Sequence, residues 1–98
     1  MTLAQAYPGI LNEYLVIARL LSGKDKTVLK TDVFNEVKNL PIKGGILGNI
    51  LAKEKFAIEI REDYIKKASR MGVNVRKGDI RYLSLDNKSF DVVMDFST

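Results

Sequence analysis

Asp32, Glu59 and Asp79 each follow a short apolar run: Val28-Leu29 precedes the first, Phe56-Ala57-Ile58 the second, and the segment from Val73 to Lys77 the third. If those runs are parallel β-strands, the three carboxylates line the carboxyl edge of one sheet, where open α/β sheets bind their ligands. An ionised carboxylate only accepts hydrogen bonds. Placed after the second strand it can take both hydroxyls of a ribose, and placed after the third it can take an exocyclic amine. The set therefore reads as a nucleoside site, with adenosine the obvious candidate. Each acid alone is an ordinary loop residue; their common register carries the reading. Other chemistry is narrowed by what is missing. The chain has neither cysteine nor histidine, which excludes disulfides, thiolate catalysis and cysteine-ligated zinc and removes the commonest metal ligand and general base. Carboxylates, hydroxyls, lysines or a bound cofactor must do the work, and no metal site is expected.

The elements that would position these acids follow from periodicity. From Pro8 to Leu21, the residues Ile10, Leu11, Tyr14, Leu15, Ala18 and Leu21 recur at helical spacing, Pro8 suits a first turn, and Ser22-Gly23 supplies the stop. Val16, Ile17 and Leu20 fill the other faces, so this helix is expected to be mostly buried. Thr27 to Asp32 reads as a strand. Val33 to Lys55 is long enough for a crossover, interrupted by Pro41 and by Gly44, Gly45 and Gly48, with a weak helical stretch around Ile46 to Lys53. Phe56 to Ile60 is a second strand, Arg61 to Met71 an amphipathic helix closed by Gly72, and Val73 to Lys77 a third strand. Phe90 to Phe96 is the last, and so continuous an apolar run is what a strand buried on both faces shows. Strands alternating with helices imply right-handed crossovers and a largely parallel sheet. The expectation is one domain, residues 1–98: an N-terminal helix over 1–23 and an α/β core over 24–98.

At 98 residues the chain makes one small domain, for which oligomerisation would help. Its formal charge is +4, with basic residues gathered between Lys53 and Arg81. Glu54, Glu59, Glu62, Asp63 and Asp79 break up that field, so the charge reads first as solvated surface and second as a nucleic-acid face. No basic cluster precedes an apolar stretch at the N-terminus, and no segment approaches the roughly 20 apolar residues of a membrane span. A cytoplasmic protein without membrane attachment is expected.

Four blocks in order carry a resemblance. Phe56-Ala57-Ile58-Glu59-Ile60, the helix through Lys67-Ala68, Val75-Arg76-Lys77-Gly78-Asp79-Ile80 and Asn87-Lys88-Ser89-Phe90-Asp91-Val92-Val93 resemble class I S-adenosylmethionine-dependent methyltransferases. Val28-Leu29-Lys30-Thr31-Asp32-Val33-Phe34-Asn35-Glu36 is similar to a variant first motif of some members. The resemblance covers residues 27 to 98. It implies a truncated Rossmann-like three-layer sandwich whose mostly parallel sheet has about four strands ordered 3-2-1-4, and S-adenosylmethionine as cofactor. It further implies that Asp32 lies beside the methionine moiety, that Glu59 holds the ribose hydroxyls, and that Asp79 with Ile80 frames the adenine. Glu36, Ile60 and Asp95 complete the implied cofactor set.

Two departures qualify that expectation. Family members place a glycine-rich turn directly after the first strand so that backbone can approach the cofactor. Here that turn is Asp32-Val33-Phe34-Asn35-Glu36; Gly44, Gly45 and Gly48 either compensate from later in the crossover or simply form a turn before a short helix. The G-x-G-x-x-G of dinucleotide dehydrogenases is absent, which discounts NAD. Members typically have seven strands, and the later ones carry much of the acceptor-binding surface. This sequence reaches the fourth, so the expectation is the cofactor-binding half, either cut from a longer enzyme or existing as a short protein that assembles. A rival from another class is a non-catalytic basic adaptor or nucleic-acid-binding module on the same scaffold, with Lys66, Lys67, Arg70, Arg76, Lys77 and Arg81 as phosphate contacts. The terminal strand, as a sheet edge with apolar Val92, Val93 and Met94, invites a second copy. A homodimer through that strand or through the N-terminal helix is expected.

Overall fold

The computed structural model describes residues 3–38, 43–78 and 90–96, with backbone alone at 3–10. Helix α1 (Leu3–Leu21) is followed by strand β1 (Gly23–Lys30), a short helix α2 (Phe34–Val37), a 3-10 turn (Leu47–Asn49), β2 (Ala52–Glu59), α3 (Glu62–Arg70), β3 (Val75–Lys77) and β4 (Val92–Met94). All four strands are parallel and ordered β3-β2-β1-β4. This is the Rossmann-like α/β arrangement expected from the sequence.

Register shows how the sheet is filled. Lys30 stands beside Ala57 on one side and Met94 on the other, and Ala57 beside Val75. Side chains alternate across a strand, so Val28, Ala57 and Met94 share one face. There they join Leu11, Leu15 and Ala18 of α1, Val37 of α2 and Ala68 of α3 in one apolar cluster. Leu29 and Ile58 point to the other face and are buried as well. The central strands are thus covered on both sides, as a parallel sheet requires.

Three expectations are corrected in detail. α1 is amphipathic, not mostly buried: Leu11, Leu15 and Ala18 are spaced to reach the sheet, while Val16, Ile17, Leu20 and Leu21 are between 46% and 79% exposed. A single sheet face can cover only one stripe of a helix. The helical stretch around Ile46 to Lys53 is only the 3-10 turn, and the chain is extended from Ala52. Gly44 and Gly45 have positive φ, and the Asn49 side-chain amide donates to the Lys43 and Gly45 carbonyls at 2.8 and 2.6 Å. Those bonds close a tight turn instead of a helix. The terminal strand is a three-residue edge, with Met94 buried but Val93 half exposed.

The chain leaves α1 where both the amide and the hydroxyl of Ser22 donate to the Ala18 carbonyl, at 3.0 and 2.6 Å. Gly23 already belongs to β1. Among the described residues no helix is long and apolar enough to cross a membrane.

Candidate functional site

Lys30 ends β1 on the helix-covered face and is 1% exposed. Its ammonium has three protons, and each has a partner at 3.0 Å: the Asp32 carbonyl, Asp32 Oδ1 and Glu36 Oε1. A buried charge is tolerated only when paired and hydrogen-bonded, and this one is fully satisfied. Asp32 Oδ1 also accepts the Phe34 amide at 3.0 Å, which supplies an acceptor at the start of α2. The same carboxylate thus joins the end of β1 to the start of α2.

Glu36, 2% exposed on α2, binds Lys30 with Oε1 and uses Oε2 to accept the amides of Ile46 and Leu47 at 2.9 and 3.1 Å. The crossover loop is therefore held against α2 by one carboxylate. Gly45 makes that approach sterically feasible: its φ is +62°, and a Cβ there would lie 2.4 Å from the Asn35 carbonyl oxygen. The close approach that this glycine permits is to the protein's own α2, and with Gly44 it forms the turn before the short 3-10 segment.

Glu59 closes β2 and is 5% exposed. Its Oε1 accepts the Val33 amide at 3.2 Å, and its Oε2 accepts those of Ile60 and Arg61 at 2.9 and 3.1 Å. The carboxylate thereby ties the turn after β1 to the turn after β2. With roughly four lone-pair sites available, it retains room for one further donor in this arrangement, where the sequence reading expected two ribose hydroxyls. Ile60 contributes its amide while its side chain is 55% exposed.

On the other side of β1, Asp95 follows β4 and accepts the Thr31 hydroxyl at 2.9 Å, and the Thr31 amide donates to the Met94 carbonyl at 3.0 Å. In the order 3-2-1-4 the connections diverge between β1 and β4, so this is the topological switch point at which such sheets form a crevice. The side chain of Asp32 is 31% exposed, and its Oδ1 is the oxygen that Lys30 and Phe34 engage. Oδ2 makes no hydrogen bond among the described residues.

The structure thus brings Asp32, Glu36 and Glu59 into one bonded group, with Asp95 beside it across β1. Asp79 and Ile80 lie outside the described residues. Lys30 and the amides of Val33, Ile46 and Leu47 were not singled out in the sequence. The available signal for Lys30 was a charge inside an otherwise apolar strand of a parallel sheet, which burial on both faces makes anomalous. A cavity of about 390 Å³ lies elsewhere, between the start of β2 and the turn from α3 to β3, lined by Leu47, Ala52, Lys55, Gly72, Val73 and Asn74 together with Glu36. Its place at the amino half of β2 separates it from the carboxyl edge, so Glu36 is what the two regions share.

Just past β2, Arg61 pairs with Asp63 through Nε at 3.2 Å and Nη2 at 2.9 Å, and its guanidinium lies 4.0 Å from the Tyr64 ring centroid. Lys38 approaches the same ring at 5.3 Å. The Arg61 hydrogen bond holds the Asp63 carboxyl below its ordinary range, and the Lys77 hydrogen bond at 2.6 Å does the same for Glu62.

No protein-family model matches the chain, and no curated protein sequence matches it. Among solved structures it is similar to a dimethyladenosine transferase from Plasmodium falciparum, with a TM-score of 0.62 and 23% identity over 93% of this chain and 32% of that one. At that identity the likeness shows the fold. The fold is the Rossmann-like parallel sheet ordered 3-2-1-4 that the sequence resemblance implied. The chain spans about a third of the length of that protein.

Proposed function

We propose that the chain binds S-adenosylmethionine at the carboxyl edge of its sheet, as the cofactor-binding part of a methyltransferase-like protein. The observation that carries this reading is the gathering of Asp32, Glu59 and Asp95 at the carboxyl edge around β1, with Asp95 at the β1/β4 switch point, on a fold shared with a dimethyladenosine transferase. The residues present suit such a molecule. Asp32 Oδ2 offers an open anion to a positively charged amino or sulfonium group, and Glu59 keeps one acceptor position for a ribose hydroxyl. When bound, the cofactor would supply an electrophilic methyl carbon, whose transfer depends on aligning an acceptor rather than on acid-base chemistry. An adenine amine as acceptor is the extension that the similar protein's name supports.

Titration calorimetry with S-adenosylhomocysteine is the direct test, because it needs no acceptor. Saturable binding is expected. Glu59→Gln should weaken it by about 1.5 to 3 kcal/mol, the range for hydrogen bonds to a charged group, in a protein whose circular dichroism is unchanged. Lack of binding by the parent chain refutes the reading. If binding to RNA with a steep salt dependence is found instead, the basic-module reading through exposed Lys66, Lys67, Arg70 and Arg76 takes its place.

A further inference from the structure

Resting on that reading of the site, we propose that Glu36 sets the charge of the cofactor site without touching the cofactor, so that the site favours a sulfonium over the neutral thioether it becomes. Glu36 is 2% exposed and both of its oxygens are engaged within the protein. It does not meet the ligand directly. Its effect passes through Lys30.

Lys30 has two consequences for Asp32 that pull in opposite directions. Its ammonium fixes the carboxylate by binding Oδ1 and the Asp32 carbonyl at 3.0 Å each, on a side chain that stays 31% exposed. The same positive charge would cancel the negative charge it orients, and a neutral Lys30–Asp32 pair would hold a cation poorly. Glu36, at 3.0 Å from the ammonium and equally buried, supplies the missing counter-charge. The three groups together carry one net negative charge, and the partly exposed one is Asp32. Lys30 can thus position Asp32 while Glu36 preserves the anion.

That charge bears on the ligand's chemistry. In methyl transfer the acceptor's lone pair forms the new bond to the methyl carbon, and the electrons of the broken carbon–sulfur bond remain on sulfur. The cation becomes a neutral thioether with the rest of the molecule unchanged. A site with one uncompensated carboxylate binds the first form more tightly and releases the second.

The magnitude follows from Coulomb's law. In an effective dielectric of about 20, adding or removing one unit charge in the neighbourhood of a sulfonium alters the preference between the two forms by roughly tenfold. The experiment is calorimetry of S-adenosylmethionine and S-adenosylhomocysteine with four proteins, reading the ratio of the two affinities. Relative to the parent, Glu36→Gln leaves Lys30 and Asp32 as a neutral pair and should lower the sulfonium preference about tenfold. Lys30→Met should raise it by a similar factor, and the double variant should return close to the parent value. If Lys30→Met fails to fold, the near-isosteric Glu36→Gln still carries the decisive sign. A merely structural role weakens both ligands in parallel and leaves the ratio level; that result, with the parent binding normally, overturns the proposal and leaves the cofactor reading intact. A parent that binds neither ligand removes both.

Discussion

Gly45→Ala tests the way the crossover loop is held. Two effects add at this position. An L-residue at φ +62° costs about 1 to 2 kcal/mol relative to glycine. The new methyl would also lie 2.4 Å from the Asn35 oxygen, 2.6 Å from its carbon and 2.9 Å from the Glu36 nitrogen, all backbone atoms of or beside α2 that cannot rotate away. The loop must then lift, lengthening the bonds from Ile46 and Leu47 to Glu36 Oε2. Losing even one bond to a charged acceptor costs about 1.5 to 3 kcal/mol, so the total is about 3 to 5 kcal/mol. For a domain whose stability is of order 5 to 15 kcal/mol, that is a large fraction. Two other glycines separate the causes. Gly72 has φ +86° with no atom within 4 Å of the added methyl, so Gly72→Ala should show the conformational cost alone, about 1 kcal/mol. Gly48 has open space and no positive φ, so Gly48→Ala should be neutral or stabilise by up to about 1 kcal/mol. Urea unfolding of the three variants gives the differences directly. Equal losses for Gly45→Ala and Gly72→Ala would show that the loop does not press on α2 and would refute the close-approach argument.

The remaining predictions concern assembly and pH. A homodimer through the sheet edge is carried forward as a proposal: Val93 is half exposed on β4, so light scattering should give the mass of two copies for the parent and one for Val93→Lys; a monomeric parent removes it. At the start of α3, the lowered pKa values of Asp63 and Glu62 mean that their contribution to stability is present above about pH 4 and is lost as pH falls through the lower folded-state values. Carboxyl resonances of both residues should titrate below the ordinary range by NMR, and titration at or above it would contradict the Arg61 and Lys77 pairings.

The strand order and the positions of Asp32 and Glu59 after β1 and β2 were legible because both follow from short-range pattern. Apolar runs alternating with amphipathic segments specify a parallel sheet, and an acid directly after Ile58 or two residues after Lys30 falls at an edge by counting. The turn after β1 was not legible, since its geometry comes from partners far along the chain: Val33 donates to Glu59, and Glu36 is held by amides from residues 46 and 47. Backbone amides leave no mark in a sequence. α1 misled for a different reason. Val16, Ile17, Leu20 and Leu21 make the helix apolar on nearly every face, and composition cannot say which stripe a single sheet will cover.

The missing glycine-rich turn has a physical replacement, and the replacement changes what the site can do. A glycine turn presents bare amides to a ligand and leaves its charge unopposed. Here the amides of Phe34, Val33, Ile46 and Leu47 already point at the chain's own carboxylates. Those amides are thereby taken up within the chain, and among the described residues the edge beside β1 carries the carboxylates of Asp32 and Asp95. A phosphate-bearing dinucleotide would meet repulsion at such an edge, whereas the proposed cofactor, whose ammonium and sulfonium outweigh its one carboxylate, would carry a net positive charge to it. On the proposed reading, the charge of the first turn would discriminate among nucleoside ligands more sharply than the fold does, because Rossmann-like sheets serve both kinds.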